Sequence, residues 1–233
     1  MPVKESGSVA GIDWGQIHLA VAHDGQETII LNGRLLRSKR RYKNKLKAKL
    51  SGLIDVKNRS SKQRQLAKLN NQIRDIQHKQ TTKLVSTLNN RGVQTGVISD
   101  IRDIRLRHAK GERKSVDYGK KANQKIHQML HGQTRQMLTY KAERLGMKVE
   151  LQDERYTSQT CPVCSKQHKP KNRFYKCSCG FQFHRDAVGS LNIRRKYLGC
   201  MNLPVVGVMA SPIGVRFRPH LQCSPVPLVR AGQ

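Results

Sequence analysis

The stretch SVAGIDWGQIHLAVAHDGQETIIL, residues 8–31, contains three short apolar runs separated by polar residues. The pair Asp24-Gly25 lies between the second and third runs and is typical of a tight hairpin turn. The stretch therefore predicts three antiparallel strands at the start of the chain. Asp13 ends the first of them, and Gly15 follows it, which would let a phosphate backbone approach closely.

The apolar pattern then changes from strand-like to helical. Between Arg34 and Arg91 the chain has 18 of its 45 Lys and Arg residues but only two acids, Asp55 and Asp75. Apolar residues at helical spacing predict two helices, with a break and an N-cap at 58–61; these apolar residues are Leu46, Leu50, Leu53, Ile54, Leu66, Leu69, Ile73 and Ile76. We expect a helical hairpin with a basic outer face, because a face that serves solubility alone usually mixes both charges.

The remaining segments alternate between strand-like and helical patterns. They predict a strand at 95–100, a mobile loop at 105–121, a helix at 122–145 closed by Gly146, a strand at 147–151 and a helix at 186–198. Residues 199–233 contain five prolines and predict an extended tail, either docked or disordered. This order of elements is typical of an α/β fold with an RNase H-like mixed sheet and two insertions.

The composition favours a polyanionic partner. The formal net charge of the 233-residue chain is +30, with only 15 Asp and Glu residues, which argues against an acidic-ligand buffer or a neutral metabolic enzyme. Nucleic acid is the first candidate for such a surface. An anionic membrane is the alternative, but there is no apolar run of 18 residues and no signal-peptide pattern, so we expect a soluble, intracellular protein.

Four of the six cysteines fall within nineteen residues. Cys161 and Cys164 form a Cys-x-x-Cys pair, and twelve residues later Cys177 and Cys179 form a Cys-x-Cys pair followed by Gly180. Two such knuckles predict a closed, structural zinc ribbon. A disulfide pair is the alternative, but a reducing compartment disfavours it. His168 and His184 could substitute as ligands, although four cysteines complete the set; Cys200 and Cys223 are expected to be free thiols.

Two aspartates are candidates for a catalytic magnesium site. Asp13 ends the first strand, and Asp186 opens the last helix. Several carboxylates that converge on one point could hold two Mg²⁺ ions for phosphodiester hydrolysis. Taken singly, Asp13 could be an ordinary turn residue, and Asp186 could be an acid favoured by the helix dipole.

Three segments resemble one known family. They are GIDWG at 11–15, YTSQTCPVC at 156–164 and the segment 181–193, which contains His184-Arg185-Asp186 and Leu191-Asn192-Ile193. Together they resemble the transposon-associated TnpB family, RNA-guided nucleases with a RuvC-like domain that are related to type V CRISPR effectors. The resemblance spans about residues 8–198. It implies a RuvC nuclease core, dependence on Mg²⁺, a guide RNA and a DNA target.

The resemblance also divides the chain. It implies a RuvC/RNase H-like core at 1–155 and 181–198, with the basic hairpin at 34–91, a zinc ribbon at 156–180 and the tail at 199–233. The third carboxylate of the family is usually a Glu at the end of the strand that corresponds to 96–100, where this chain has Ser99. Glu154, which ends the neighbouring strand, is our candidate replacement, and Asp100 is the runner-up. If both are structural, the site is inactive.

The resemblance covers only the nuclease half of the family's chain. We therefore expect that a separate subunit could supply the half that grips guide RNA. The leading hypothesis is a Mg²⁺-dependent endodeoxyribonuclease core, associated with the nucleoid, in which Asp13, Glu154 and Asp186 hold two magnesium ions. Its phosphate-binding residues are expected on the first helix of the hairpin: Arg37, Lys39, Arg40, Arg41, Lys43, Lys45, Lys47 and Lys49. The alternatives are an inactive nucleic-acid-binding regulatory or accessory module of the same family and a zinc-ribbon adaptor between proteins.

Overall fold

The structure is a computed structural model that describes residues 9–15, 17–100, 106–109, 112–115, 119, 123, 131–170, 172–201, 213–215 and 226–227 of the 233-residue chain. The helices are α1 (Arg34–Ser51), α2 (Val56–Asn90), α3 (His131–Arg144) and α4 (Arg185–Tyr197). The strands are β1 (Val9–Trp14), β2 (His18–His23), β3 (Thr28–Asn32), β4 (Thr95–Asp100), β5 (Leu106–Ala109), β6 (Glu112–Ser115), β7 (Lys148–Asp153), β8 (Phe174–Lys176), β9 (Gln182–His184), β10 (Ile213–Val215) and β11 (Val226–Pro227). Among these described helices, none combines the length and the hydropathy needed to span a membrane.

A mixed sheet forms the centre of the fold. Its strand order is β11-β10-β3-β2-β1-β4-β7. β2 pairs antiparallel with both β1 and β3, which confirms the predicted meander, whereas β4 is parallel to β1 and β7 is parallel to β4. The carboxyl ends of β1, β4 and β7 therefore lie at one edge of the sheet, where Asp13, Asp100 and Glu154 are placed.

Helices cover both faces of this sheet. On one face, Ile12 and Ile98 share an apolar core with residues of α2 and α3, such as Leu84 and Leu138. On the other face, Ile193 of α4 packs with Val9 and Val97. Side chains alternate along a strand, so Gly11 and Asp13 share the α4 face with Val9, and Ser99 shares it with Val97.

The basic hairpin is confirmed, but its break was misplaced. The chain turns at Gly52–Asp55, and residues 58–61, where the break was predicted, lie within α2. The side chain of Asp55 accepts a hydrogen bond from the backbone N–H of Lys57 at 3.0 Å and so caps α2. Consequently Ile54, which was expected in the apolar seam, lies in the turn and is 95% exposed.

The structure describes parts of the segments that were predicted as a mobile loop and as the following helix. The mobile loop predicted at 105–121 was wrong for the described strands β5 and β6, which pair antiparallel with Leu106 opposite Ser115. Of the predicted helix at 122–145, residues 123 and 131–145 are described, with α3 beginning at His131, and residues 122 and 124–130 lie outside the described part.

The tail docks where it is described. Strand β10 pairs with β3 in parallel, and β11 pairs with β10 antiparallel, so both extend the central sheet. The other tail residues from 202 onward lie outside the described residues. Of the two possibilities left open by the sequence, docking applies to residues 213–215 and 226–227.

Candidate functional site

Asp13 lies against the backbone of α4. A Cβ atom on Gly189 would stand 2.7 Å from Oδ2 of Asp13, a distance that real Cβ atoms essentially never show. On the same face, a Cβ on Gly11 would stand 2.1 Å from the carbonyl oxygen of Ser190. The two glycines therefore allow β1 and α4 to approach closely enough to place the Asp13 carboxylate beside the first turns of α4.

The charges around Asp13 come from the other two predicted acids. Burial raises the pKa of Asp13 well above its usual range, and the charges of Glu154 and Asp186 raise it further. The backbone N–H of Trp14 and the charge of Arg185 lower it by less. Asp13 is thus electrostatically coupled to both residues with which it was predicted to share a metal pair.

Glu154 follows directly after β7, beside the end of β4. In the parallel pair, Ser99 is opposite Gln152 and Asp100 is opposite Asp153. Burial raises the pKa of Glu154 to about 7, and the charges of Asp153 and Asp100 add to the effect. A positive charge nearby would lower this pKa and favour the ionised carboxylate at neutral pH.

The Ser99 hydroxyl borders this carboxyl group. After burial, it is the largest influence on the pKa of Glu154, which it lowers. The buried Oγ atom has no hydrogen bond of normal geometry within the described residues, and Ser99 is only 1% exposed. The hydroxyl that stands where the family usually has a glutamate is therefore a neighbour of Glu154.

Asp100, the runner-up, lies at the end of β4, beside the segment that presents Glu154. Its charge raises the pKa of Glu154. The charges that raise the pKa of Asp13 most are those of Glu154 and Asp186. Of the two candidates, Glu154 is the one whose charge is among the largest influences on Asp13.

Asp186 lies in the first turn of α4, beside His18 and Arg173. Its Oδ2 atom is 2.8 Å from Nδ1 of His18 and 3.4 Å from Nη1 of Arg173. Burial acts to raise the pKa of Asp186, but the hydrogen bond from His18 and the charges of His184, His18 and Arg173 outweigh it, so the pKa is lowered. Asp186 is therefore the acid of the three that is most readily ionised in the folded chain.

A group of two histidines and Asp186 was not predicted from the sequence. One ligand atom from each of His18, His184 and Asp186 lies within 4.8 Å of the others. The two imidazole rings have centroids 5.2 Å apart. Among the described residues, Asp13, Glu154 and Asp186 do not form a set this tight. A wider spacing of the three acids is expected, because their like charges repel and because the ligands of two ions about 3.5–4 Å apart are spread more widely than the ligands of one ion.

The four cysteines meet at one point, in the hairpin formed by β8 and β9 and in the knuckle before it. Cys161 and Cys179 have sulfur atoms 3.6 Å apart, and those of Cys164 and Cys177 are 3.5 Å apart. Tetrahedral zinc with bonds of about 2.3 Å needs sulfur atoms about 3.8 Å apart, so the group could hold zinc. Gly180 has a φ of 90°, a conformation that favours glycine, which accommodates the short Cys-x-Cys knuckle.

Asn192 ties this cysteine segment to α4. Its buried Nδ2 atom donates to the carbonyl oxygens of Thr157 and Thr160, at 2.8 and 2.7 Å. The same turn begins at Glu154, whose carbonyl oxygen accepts a hydrogen bond from the Thr157 hydroxyl at 2.8 Å. The Asn192 amide therefore positions both the start of the zinc ribbon and the segment that presents Glu154.

A basic groove lies between α1, α2 and α3. Its volume is about 1050 Å³, and none of the described residues that line it is acidic. The lining side chains are Arg40, Lys43, Asn44, Lys47, Asn70, Asn71, Ile73, Arg74, Gln77, His78, Gln133, Gln136, Met137 and Tyr140. Burial and the charges of Lys47 and Arg40 lower the pKa of Lys43, as expected where like charges are crowded.

The predicted basic residues divide between this groove and the outside of the hairpin. Arg40, Lys43 and Lys47 line the groove. The other five predicted residues do not: Arg37, Lys39, Arg41, Lys45 and Lys49. Lys39 donates instead to the side chain of Gln72 at 2.8 Å. Arg74 also lines the groove but was not predicted, because it lies on α2, the second helix of the hairpin.

Two family models match separate parts of the chain. The model OrfB_IS605, described as a probable transposase, matches residues 1–105, and the model described as the Cas12f1-like TNB domain matches residues 131–193. The predicted resemblance to the TnpB-like family is confirmed. The second match includes all four cysteines, which agrees with a zinc ribbon in this TnpB-like chain.

Solved structures show which fold the TnpB-like chain shares. A cryo-EM structure of a Cas12f1–sgRNA–target DNA complex is 15% identical with a TM-score of 0.55, and the match covers 84% of this chain and 52% of that one. A CRISPR–Cas12f ternary complex is also 15% identical with a TM-score of 0.55, over 83% and 40% of the two chains. The TnpB-like chain thus has a Cas12f-like mixed α/β fold and spans about half the length of the Cas12f chains, or less. No curated protein sequence matches it at a significant level.

Proposed function

We propose that this TnpB-like chain is the metal-dependent DNA endonuclease core of an RNA-guided system. The observation that supports it most is the electrostatic coupling of Asp13 to both Glu154 and Asp186. The acids at the end of β7 and the start of α4 raise the pKa of Asp13 at the end of β1, and a divalent cation would relieve this repulsion.

The strand order supports an RNase H-like, RuvC-type core. In that fold three antiparallel strands are followed by two strands parallel to the first, as in the order β3-β2-β1-β4-β7. The core would comprise 1–155 and 181–198, with the zinc ribbon at 156–180 and the tail at 199–233 as additions. The buried amide of Asn192 gives the ribbon a structural role in this arrangement.

Asp13, Glu154 and Asp186 are the residues that would hold two Mg²⁺ ions. Carboxylate oxygens are the ligands that Mg²⁺ prefers, and the pair would supply Lewis-acid activation of water and of the phosphodiester. Asp186 is held ionised by His18 and Arg173 and would bind first. Asp13 and Glu154, whose pKa values are raised, would lose their protons as positive charge enters the site.

The basic groove is the proposed contact for the phosphate backbone. Arg40, Lys43, Lys47 and Arg74 provide charge there, and the amide side chains of the lining provide hydrogen-bond donors. An acid-free groove of this kind binds phosphates without reading base sequence. We expect Tyr140, which also lines the groove and is 39% exposed, to stack on a base.

We further propose that the chain acts with a guide RNA and DNA, and with a separate subunit. One solved structure of similar fold is a complex with an sgRNA and target DNA. The match covers 52% of that Cas12f1 chain, so the partner subunit would supply the remaining functions. Such a function would place the protein with the nucleoid.

The proposal is tested by Mg²⁺-dependent cleavage of single-stranded DNA by the chain purified with its co-expressed RNA. Asp186→Ala removes one of the three acids and is expected to reduce cleavage at least about a hundredfold. Asp75→Ala is the matched control, because Asp75 is exposed on α2 and pairs with Lys79. Undiminished cleavage by the Asp186→Ala variant would overturn the assignment.

The second candidate function is an inactive nucleic-acid-binding regulatory or accessory module. Ser99, in the place of the family's usual glutamate, is the observation that favours it. This candidate requires salt-sensitive binding to RNA or DNA without metal-dependent cleavage. The cleavage assay therefore distinguishes the two functions, since both need the basic groove but only one needs the three acids.

A further inference from the structure

His18, His184 and Asp186 come from three different elements and meet at one point. His18 is the first residue of β2, His184 is the last residue of β9, and Asp186 is in the first turn of α4. Their ligand atoms lie within 4.8 Å of one another. No step of the proposed cleavage uses either imidazole as a ligand.

The distances suit a single metal ion. Two ligands with bonds of about 2.1 Å stand about 3.0 Å apart when they are at right angles and about 3.4 Å apart at a tetrahedral angle. Nδ1 of His18 and Oδ2 of Asp186 are 2.8 Å apart, close to the first value. Since opposed ligands would be about 4.2 Å apart, the 4.8 Å limit on the group allows all three to reach one ion after small side-chain movements.

The second histidine has an unused polar atom. Nδ1 of His184 is buried and has no hydrogen-bond partner within the described residues. A buried polar atom without a partner costs free energy, and most such atoms in folded proteins are satisfied by protein, water or an ion. A metal ion held by the group is one partner that this nitrogen could take.

We propose that His18, His184 and Asp186 form a binding site for a first-row transition metal ion, distinct from the zinc ribbon. Two imidazoles and one carboxylate are a ligand set that suits Zn²⁺, Mn²⁺, Fe²⁺ or Co²⁺, whereas Mg²⁺ prefers oxygen ligands alone. The geometry gives three protein ligands and leaves further coordination positions for water or a phosphate oxygen.

The site has a consequence for cleavage that rests on the proposed function. The Asp186 carboxylate would be a ligand in both places, so a transition metal bound by the histidines would draw Asp186 away from the magnesium pair. Zn²⁺ beyond the amount that the cysteines hold is then expected to compete with Mg²⁺. The binding site itself does not depend on whether the chain cleaves DNA.

The first experiment counts zinc ions in the full chain without nucleic acid, by equilibrium dialysis and elemental analysis. The wild-type chain is expected to bind two ions, one at the cysteines and one at the histidines. The double variant His18→Asn/His184→Asn is expected to bind one. The control His78→Asn keeps two, because His78 lies on α2 and contacts Tyr140 and Lys141.

A second measurement does not depend on the folding of a variant. Co²⁺ is added to wild-type chain whose cysteines already hold zinc, and the visible spectrum is recorded. Weak absorption bands of nitrogen and oxygen coordination, without sulfur-to-cobalt charge transfer, are expected. One zinc ion in the wild-type chain, no cobalt bands, or a second ion retained by the double variant would each overturn the site. A second ion in a chain that cleaves no DNA would uphold the site and contradict the nuclease proposal alone.

Discussion

Gly189 leaves the space that the Asp13 carboxylate occupies: a Cβ atom on Gly189 would stand 2.7 Å from Oδ2 of Asp13. This relationship joins β1 to α4 at the point where the acids gather. Alanine favours a helix more than glycine does, so the contact with Asp13 explains why this helix position has a glycine. The geometry of the proposed magnesium site therefore depends on a residue that binds no metal.

Gly189→Ala is expected to displace Asp13 and to reduce cleavage. Overpacking at a buried contact also destabilises a fold, by about 1–3 kcal/mol. The measurement is the cleavage rate together with the free energy of unfolding. Gly132→Ala in α3 is the matched control, because no atom of the described residues, apart from its chain neighbours and the adjacent helix backbone, lies within 4 Å of its Cβ position, and alanine favours a helix. Equal behaviour of the two variants would refute the role of Gly189.

Glu154→Gln is expected to change how the stability of the chain depends on pH. The pKa of Glu154 is raised from 4.5 to about 7 in the folded chain. A raised acid contributes stability that is present below the unfolded pKa and is lost as pH rises through the folded pKa. Between about pH 4.5 and 7 the wild-type chain should therefore lose up to about 3 kcal/mol that the glutamine variant does not lose.

Urea unfolding of both proteins across this pH range, with zinc retained and no added Mg²⁺, measures the difference. The comparison between the two proteins cancels other titrations, such as that of His23, whose pKa burial lowers to about 4. Parallel stability profiles for wild type and variant would show that Glu154 is not in a buried, acidic environment.

Cys177→Ser is expected to abolish zinc binding at the ribbon and to unfold the β8–β9 hairpin. Structural zinc sites contribute folding free energy directly, so removal of zinc by a chelator should have the same effect on the wild-type chain. Zinc content and thermal unfolding check both. Cys200→Ser is the control, because Cys200 lies outside the cysteine group and its sulfur contacts the carbonyl oxygen of Arg195. If Cys200→Ser lost as much zinc, the ligand set would be wrong.

A triple variant in which glutamine replaces Arg40, Lys43 and Lys47 is expected to bind nucleic acid more weakly and with a smaller dependence on salt. Each lost phosphate contact lowers the slope of log K against log salt by about 0.7–0.9, so three contacts lower it by about 2–3. The control replaces Arg41, Lys45 and Lys49, which are exposed but do not line the groove. Fluorescence anisotropy at several salt concentrations measures both. An equal loss in the control would place the interface on the outer face of the hairpin.

The sequence predicted the central sheet because its signals are local. Alternating apolar residues and the Asp24-Gly25 turn specify the meander within about 25 residues. The end of the hairpin turn was harder to predict, because Asp55 and Ser60 are both acceptable N-cap residues. Only the folded chain shows that the Asp55 carboxylate accepts the hydrogen bond from Lys57.

The histidine group could not be predicted, because its members have no regular spacing. His18 and Asp186 are 168 residues apart and meet only when α4 packs on β1 and β2. Only part of the groove was predicted, for a similar reason. Arg74 on α2 joins the groove residues of α1 only when the hairpin closes. Asp13 and Asp186, by contrast, could be proposed from the sequence, because both stand at the ends of predictable elements.

The central claim is that Glu154 takes the role of the family's usual glutamate, whose position is occupied by Ser99 in this chain, and so completes a working nuclease site. Cleavage of labelled single-stranded DNA with Mg²⁺, by chain purified with RNA expressed from its own locus, tests it most directly when wild type, Glu154→Gln and Asp100→Asn are compared. Cleavage by wild type and by Asp100→Asn, with a loss of at least about a hundredfold in Glu154→Gln, is the predicted result. No cleavage by wild type, or cleavage that survives Glu154→Gln, would contradict it.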